Sequence, residues 1–180
     1  RLVTNGAPPD DDAAYAALLA TAPEGSVHTA QPGEVIDLGD GARLEIIHAG
    51  GPPGARSSDN NASVVARLTY GELSVLLTGD AEEAAEGAML RSGLPLSAVI
   101  LKAGHHGANT SSGALFLRAV APQFVVISAG AGNSYGHPAP EMLQRAAEVG
   151  AAVLRTDEMG TIELESDGQR MWWETEATDP

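Results

Sequence analysis

The amino-acid sequence predicts an α/β protein in which helices cover the outside of a sheet. Short runs of alternating apolar and polar residues, separated by turn residues, fill the first part of the chain up to Thr78. From Asp80 onward, helical and strand patterns alternate, which is the order expected when helices connect parallel strands. The 180 residues are 43% hydrophobic. This is enough to bury a sizeable core, so we expect residues 1–180 to belong to one domain.

Each element follows from a local pattern. Asp10, Asp11 and Asp12 precede an alanine-rich run over 13–22, which predicts a capped helix that ends before Pro23. Strands are then predicted over 27–29, 35–38, 44–48, 63–70 and 73–78, with a loop over 50–61. The second part predicts helix 82–91, strand 98–103, helix 112–120, strand 124–128, helix 140–149, strand 152–154, and a hairpin that pairs 161–165 with 171–173.

Charge and composition exclude several classes of protein. The formal net charge is −14, which argues against a passive nucleic-acid-binding module with a basic face. The absence of cysteine excludes disulfides and thiolate metal sites. Because no apolar stretch approaches membrane-spanning length, we expect the segment to be soluble and not inserted in a membrane. The first residue is Arg1 rather than Met, so we expect a segment of a longer protein.

Two apolar runs end in residues that bind metals. The run at 73–77 leads to Asp80, and the run at 99–103 leads through Gly104 to His105 and His106. A carboxylate and an imidazole at strand ends suit a divalent transition metal that activates water, so a hydrolase is the first hypothesis. Gly107 on the other side of the pair, like Gly104, fits close backbone approach or positive φ.

Simpler interpretations exist for the same residues. Asp80 also suits a turn former or the N-cap of the helix that follows it. Lys102, the single lysine, suits either an ordinary surface position or a cation beside a phosphate. Two consecutive histidines cannot both be buried on one face of a strand. Because neighbouring residues on an extended segment point to opposite sides, we expect only one of His105 and His106 to face a metal, with the other facing the loop of His137.

Several ordered motifs resemble a known family over about residues 33–168. They are SVV at 63–65, LLTGD at 76–80, LKAGHHGANTSS at 101–112, VIS at 126–128, NSYGHP at 133–138 and RTDEMG at 155–160. Together they resemble the metallo-β-lactamase-fold domain of ComEC-type DNA-internalisation competence proteins. The resemblance implies an αβ/βα sandwich, incomplete here at its N-terminal side, and a phosphodiesterase or nuclease that acts on incoming DNA.

The resemblance also implies roles for individual residues. Asp80 matches the carboxylate that bridges two metals, and one of His105 and His106 matches a later histidine ligand, with His105 favoured. Positions of the family pattern that contact substrate are matched by Lys102, Ser111, Asn133 and His137. His137 is also a candidate for orienting a phosphate oxygen or protonating a leaving group, with a purely structural role in its loop as the alternative.

The sequence departs from the family at the main ligand cluster, because the motif His-x-His-x-Asp-His does not occur in it. Asp59, followed by Asn60 and Asn61, stands where many members have another histidine, so Asp59 is either a ligand or part of a turn. We expect Zn or Mn as the cofactor, two ions per complete domain, with oxygen ligands favouring Mn. His28 and His48 match no motif and suit ordinary strand or surface positions.

The expected partners and location come from the same resemblance. They are a DNA or other phosphodiester substrate, a membrane channel domain in the same parent chain, and a site on the extracytoplasmic face. Two other functions remain open at this point. One is hydrolysis of a small ester or a phosphocholine-type substrate, and the other is a metal-free structural or interaction domain.

Overall fold

A computed structural model describes residues 2–6, 13–50 and 59–176, without the side chain of Asp59. The capping triplet Asp10–Asp12 and most of the loop predicted over 50–61 lie outside the described residues. The helices are α1 (Ala13–Thr21), α2 (Glu83–Ser92), α3 (Ala114–Val120), α4 (Pro140–Glu148) and α5 (Thr156–Met159). The strands are β1 (Leu2–Thr4), β2 (Val27–Thr29), β3 (Val35–Gly39), β4 (Ala42–His48), β5 (Val65–Tyr70), β6 (Leu73–Leu77), β7 (Ile100–Lys102), β8 (Phe124–Ile127), β9 (Ala152–Arg155), β10 (Ile162–Ser166) and β11 (Met171–Thr175).

Seven strands form one mixed sheet in the sequential order β3 to β9. The first four are antiparallel neighbours; short turns join β3 to β4 and β5 to β6, whereas the longer segment 49–64 joins β4 to β5. The remaining pairs, β6 with β7, β7 with β8 and β8 with β9, are parallel, since α2, α3 and α4 carry the chain back between them. The C-terminal ends of β6, β7 and β8 therefore lie side by side at one edge.

The main core forms between the three crossover helices and the sheet. Met89 of α2, Phe116 of α3 and Met142 of α4 are fully buried together with Leu76 and Leu101 of the sheet. Burial of one such side chain contributes roughly 1.5–3 kcal/mol, so this layer fixes the strand ends firmly. A second, smaller cluster packs Ala30 against residues of β4 and β5.

The hairpin of β10 and β11 lies at the other end of the parallel strands. Met171 and Trp173 line a cavity with Val99 and Phe124, which stand at the starts of β7 and β8. The backbone N–H of Glu72 also donates to the carbonyl of the hairpin turn, 2.6 Å away. This hairpin is consequently separate from the edge where β6, β7 and β8 end.

The α/β class and the mixed architecture are confirmed, and the sheet with its helices is compatible with an αβ/βα sandwich. The predicted meander, the alternating helices and strands and the final hairpin all occur with bounds shifted by a few residues. The sequence analysis missed β1 and the single turn of α5. His28 lies in β2 and contacts Glu34, whereas His48 is a buried strand residue whose Nε2 lies 3.0 Å from the Asn61 carbonyl.

Candidate functional site

The turn that presents Asp80 is fixed by contacts with the neighbouring strand β7. The Thr78 hydroxyl donates to the Lys102 carbonyl at 2.7 Å, and the Lys102 ammonium donates to the Gly79 carbonyl at 3.2 Å. The N–H of Asp80 donates to the Ser63 hydroxyl at 3.1 Å. Burial lowers the pKa of Lys102, and the nearby Asp80 carboxylate opposes that shift. Lys102 therefore joins the ends of two strands as well as placing a cation beside Asp80.

The structure does not support the capping interpretation of Asp80. Helix α2 has Glu82 at its N-cap position, with no side-chain capping bond from that residue. The Asn61 side-chain oxygen instead accepts the N–H groups of Glu82 and Ala85, at 3.2 and 3.0 Å. Asn61 belongs to the 3-10 turn Asp59–Ala62, so the turn predicted there is confirmed and supplies the cap from another part of the chain. The Asp80 carboxylate is thus available for another task.

The backbone at the histidine pair is not extended, so that premise of the sequence analysis was wrong. His105 and His106 lie in the 3-10 segment Gly104–Gly107 and both have left-handed dihedrals, with φ of 44° and 54°. Such conformations cost a non-glycine residue roughly 1–2 kcal/mol, and strain of this kind is concentrated at functional sites. The two flanking glycines behave as predicted, because Gly107 has a φ of 81° and a Cβ on Gly104 would lie 2.5 Å from the Ala81 carbonyl oxygen.

His106 is oriented toward Asp80. Its Nδ1–H donates to the Ser128 carbonyl at the end of β8, 2.6 Å away. Its Nε2 lies 3.7 Å from Asp80 Oδ1. A backbone bond to one ring nitrogen leaves the other nitrogen with a lone pair, which is how histidine binds metals. Two ligands of one tetrahedral ion with bonds of about 2.1 Å are roughly 3.4 Å apart, so this pair has nearly the spacing of metal ligands.

His105 is held by a carboxylate that the sequence analysis missed. Its Nδ1 lies 3.0 Å from Glu82 Oε1, and the same oxygen accepts the Thr110 hydroxyl at 2.7 Å. The His105 ring is centred 6.4 Å from that of His106 and 5.5 Å from that of His137. Glu82 lies two positions after Asp80, and this closeness was the only signal in the sequence for its role. Three imidazoles and two carboxylates therefore gather at this edge of the sheet.

The loop after β8 is organised by Asn133. Its side-chain oxygen accepts the N–H groups of Tyr135 and His137, at 3.2 and 3.1 Å. Its amide nitrogen donates to the carbonyls of Gly130 and His137, at 2.9 and 2.6 Å. Because both ends of the amide are used within the loop, the role of Asn133 in the structure is to position Tyr135 and His137.

His137 stacks on Tyr135 at a centroid distance of 6.0 Å and an interplanar angle of 18°. Burial lowers the pKa of His137, and electrostatic repulsion from the neighbouring imidazoles of His105 and His106 adds to this effect. Its Nδ1 is buried and has no hydrogen-bond partner among the described residues, so a bound group or water would satisfy it. The ring is thus favoured in its neutral form near neutral pH.

Ser111 is not brought to the surface of the site. It is fully buried, and its hydroxyl donates to the Gly104 carbonyl at 2.6 Å. Two charged residues that the sequence analysis missed hold the same segment. The Arg145 guanidinium donates to carbonyls of Asn109, Ser111 and Ser112, and the buried Glu86 carboxylate accepts the N–H of Ser112. Arg145 and Glu86 therefore hold in place the segment that follows His105 and His106.

A cavity of about 400 Å³ opens beside His106. Its lining is formed by His106, Ser128, Ala129, Gly130, Asn133, Tyr135 and His137. In residues 2–6, 13–50 and 59–176, no group of three or more His, Asp or Glu side chains is gathered as a complete metal centre. No helix in that part of the chain is long and apolar enough to cross a membrane.

Three curated bacterial proteins are similar to this chain. ComE operon protein 3 of Bacillus subtilis is 35% identical over 138 residues, which are 77% of this chain and 17% of that protein. Competence protein ComA of Neisseria gonorrhoeae is 36% identical over 128 residues, covering 69% of the chain and 18% of the relative. Recombination protein 2 of Haemophilus influenzae is 34% identical over 107 residues, covering 59% of the chain and 13% of the relative.

No protein-family profile matches the chain. The chain spans less than a fifth of the length of each of these three relatives. The similarity nevertheless extends over more than half of this chain in all three cases, and it includes relatives from three different organisms. These similarities support assignment of the chain to the ComEC-type competence protein family, as a segment similar to a limited part of its members.

Proposed function

We propose that this chain is the C-terminal part of a metallo-β-lactamase-like domain that hydrolyses phosphodiester bonds of DNA during competence DNA uptake. The observation that carries the proposal is the pair formed by Asp80 Oδ1 and His106 Nε2, 3.7 Å apart at the ends of neighbouring parallel strands. The names of the relatives support a role in competence DNA uptake. The hydrolytic step is inferred from the chemistry of the two side chains.

The donor atoms fit Zn or Mn, since one is a carboxylate oxygen and the other an imidazole nitrogen. A metal pair bound here would supply activated water and hold phosphoryl oxygens. We assign Asp80 and His106 as ligands, because the Nδ1 bond to Ser128 aims the other ring nitrogen at Asp80. The remaining ligands of a dinuclear site would come from outside the described residues, with the Asp59 side chain still a candidate.

In this proposal His105 is not a metal ligand, and its ring is held beside the two ligands. Its Nδ1 donates to Glu82, so its ring is fixed against the turn that carries Asp80. His137 would donate a hydrogen bond to a phosphate oxygen, because even the neutral ring, which its lowered pKa favours, keeps one N–H. Lys102 keeps a cation beside Asp80 in a chain whose formal net charge is −14. We also propose that the parent protein contains a membrane channel domain and that this site lies on the extracytoplasmic face.

The test uses the full-length protein that contains this chain, single-stranded DNA and added Mn or Zn. Asp80→Asn should reduce bound metal and nuclease rate together, because an amide is a poor bridging ligand. His106→Ala should lose metal, whereas His105→Ala should keep metal and lose rate or stability. Trp172→Ala, on the distant hairpin, serves as the matched control and should leave both quantities unchanged. An Asp80→Asn protein with full metal content and full rate would refute the proposal.

The 180-residue chain by itself should bind Zn or Mn weakly and show no appreciable hydrolase activity. The described residues offer Asp80 and one imidazole at ligand spacing, which is fewer than the three or four protein ligands of a stable site. Calorimetric titration of the chain with each metal measures this. Tight binding of two ions per chain would contradict the assignment of ligands.

A second candidate function is a metal-free structural or interaction domain on the same scaffold. It is favoured by one observation, that no three His, Asp or Glu side chains of the described residues are arranged so that they could hold one metal ion. Full-length protein that binds no divalent metal would support this candidate against any metallo-hydrolase. A rate on small esters that exceeds the rate on single-stranded DNA would instead favour a small-substrate hydrolase on the same fold.

A further inference from the structure

We propose that the cavity beside His106 is a base-stacking subsite in which Tyr135 receives one nucleobase of single-stranded DNA. The inference rests on the proposed function of the adjoining site and names how its substrate would be held. His106 belongs to both places, since it lines the cavity and faces Asp80. A nucleotide whose phosphate lies at the Asp80–His106 pair would therefore have its base within reach of the cavity.

The exposure and the stacking of Tyr135 point to a platform for a flat aromatic ligand. The residue is 81% exposed, the most exposed of the large apolar and aromatic residues among those described. Its ring is nevertheless ordered by stacking on His137, at 6.0 Å and 18°. Aromatic rings that are supported on one side and open on the other bind unpaired bases, and they do so with little dependence on base identity.

The loop is preorganised for this task. Asn133 accepts the N–H groups of both Tyr135 and His137 and donates to two carbonyls of the same loop. A platform fixed in advance loses less conformational entropy when a ligand binds, which improves affinity. The interactions of Asn133 are thus explained by its support of Tyr135.

The charge around the cavity also suits a nucleotide. The chain carries 24 Asp and Glu residues, yet none of the residues that line the cavity is acidic. The lining combines small apolar residues with two imidazoles and one amide, and its volume of about 400 Å³ suits a small ligand. The lining therefore adds no negative charge where the base and sugar of a nucleotide would lie.

A single strand is the form of DNA that fits. A base must be unpaired and unstacked before its face can lie on an aromatic side chain. The structure therefore favours single-stranded DNA over a duplex and over esters that lack an aromatic group.

The experiment is an NMR titration of the 180-residue chain, without added metal, with two hexanucleotides. One is a thymidine hexamer, and the other is an abasic hexamer with the same phosphates. We expect the thymidine strand to bind roughly tenfold more tightly, with amide shifts at Gly130, Tyr135 and His137. Tyr135→Ala should abolish the preference and Tyr135→Phe should retain it. Trp172→Ala is the matched control, because Trp172 is a half-exposed aromatic on the distant hairpin, and it should retain the preference.

Three results would overturn the subsite: equal binding of both strands, no detectable binding of the thymidine strand, or a Tyr135→Ala protein that keeps the preference. Amide spectra of the variants report whether they are folded. Asp80→Asn separates this inference from the proposed function, because it should leave the thymidine preference intact. If the 180-residue chain shows the thymidine preference but the wild-type full-length protein has no metal-dependent nuclease activity, the hydrolase proposal fails while the binding site stands.

Discussion

Replacing Asn61 with alanine should destabilise the protein through helix α2. The Asn61 side-chain oxygen accepts the N–H groups of Glu82 and Ala85, and Asn61 is itself buried. Removal of the Asn61 side chain leaves the backbone N–H of Ala85, a fully buried residue, without that acceptor. A buried unsatisfied amide costs roughly 1–3 kcal/mol, and loss of an N-cap side chain costs about 1 kcal/mol.

These two values describe the same lost acceptor and are not added, so we expect the free energy of unfolding to fall by about 2 kcal/mol in Asn61→Ala. For a domain of this size, 1 kcal/mol changes Tm by roughly 2–4 °C, so Tm should fall by about 4–8 °C. Urea and thermal unfolding in the presence of a chelator measure both quantities. Native-state hydrogen exchange gives a local readout, because protection of the Glu82 and Ala85 amides should fall more than that of the sheet.

Asp80→Ala is the matched control for this prediction, because it removes every side-chain oxygen that could cap a helix. In the described part of the chain, the cap of α2 comes from Asn61 and not from Asp80. A substitution at this half-exposed position should change the stability of the metal-free protein by less than about 0.5 kcal/mol. If Asp80→Ala destabilises the protein as much as Asn61→Ala, Asp80 has a capping role and the argument that frees it for metal binding is refuted.

Three further predictions concern residues that support the site. Burial raises the pKa of Glu86 to about 6 from 4.5, so the folded protein binds more protons between these values and its stability falls by about 2 kcal/mol as pH rises through them. In urea unfolding, the free energy of unfolding of Glu86→Gln relative to wild type should increase by that amount between about pH 4 and about pH 7. A difference between the two proteins that does not change with pH would contradict the prediction. Gly104→Ala should cost about 1–3 kcal/mol in thermal unfolding, because its Cβ would lie 2.5 Å from a carbonyl oxygen, whereas the control Gly130→Ala meets nothing within 4 Å and should be nearly neutral. Arg145→Ala should cost about 2–3 kcal/mol by removing charged hydrogen bonds to residues 109–112, and unchanged amide shifts in that segment would argue against its supporting role.

Much of the fold could be predicted because its signals are local. Strands follow one another before Thr78, and helices alternate with strands after Asp80. This order depends on which side chains face the core, and such periodicity can be recognised from residues that are close together in the chain. Strand β1 was missed because its three residues pair with β2 across the intervening helix, and three residues are too few for a pattern. The turn of α5 is likewise too short for helical periodicity to appear.

The sequence predicted which residues belong to the site better than it predicted how their side chains are arranged. Asp80 and the histidine pair follow two apolar runs, and parallel neighbours deliver such residues to the same edge. Their roles depend on ring orientation, which comes from distant partners. Ser128 aims His106 and Glu82 holds His105, with sequence separations of 22 and 23 residues. No local sequence pattern specifies which ring nitrogen of each histidine makes the hydrogen bond.

The amino-acid sequence was enough to establish four properties: the α/β class, the order of elements, the glycines around the histidine pair, and the acidic, cysteine-free composition. These properties follow from short-range periodicity, from backbone sterics and from residue counts. Three other findings required the folded arrangement: Asn61 caps α2, Ser111 is buried, and Arg145 and Glu86 hold the segment beneath the site. The reason is physical: a buried polar group must find a partner wherever packing provides one, and packing brings together residues that are far apart in the chain.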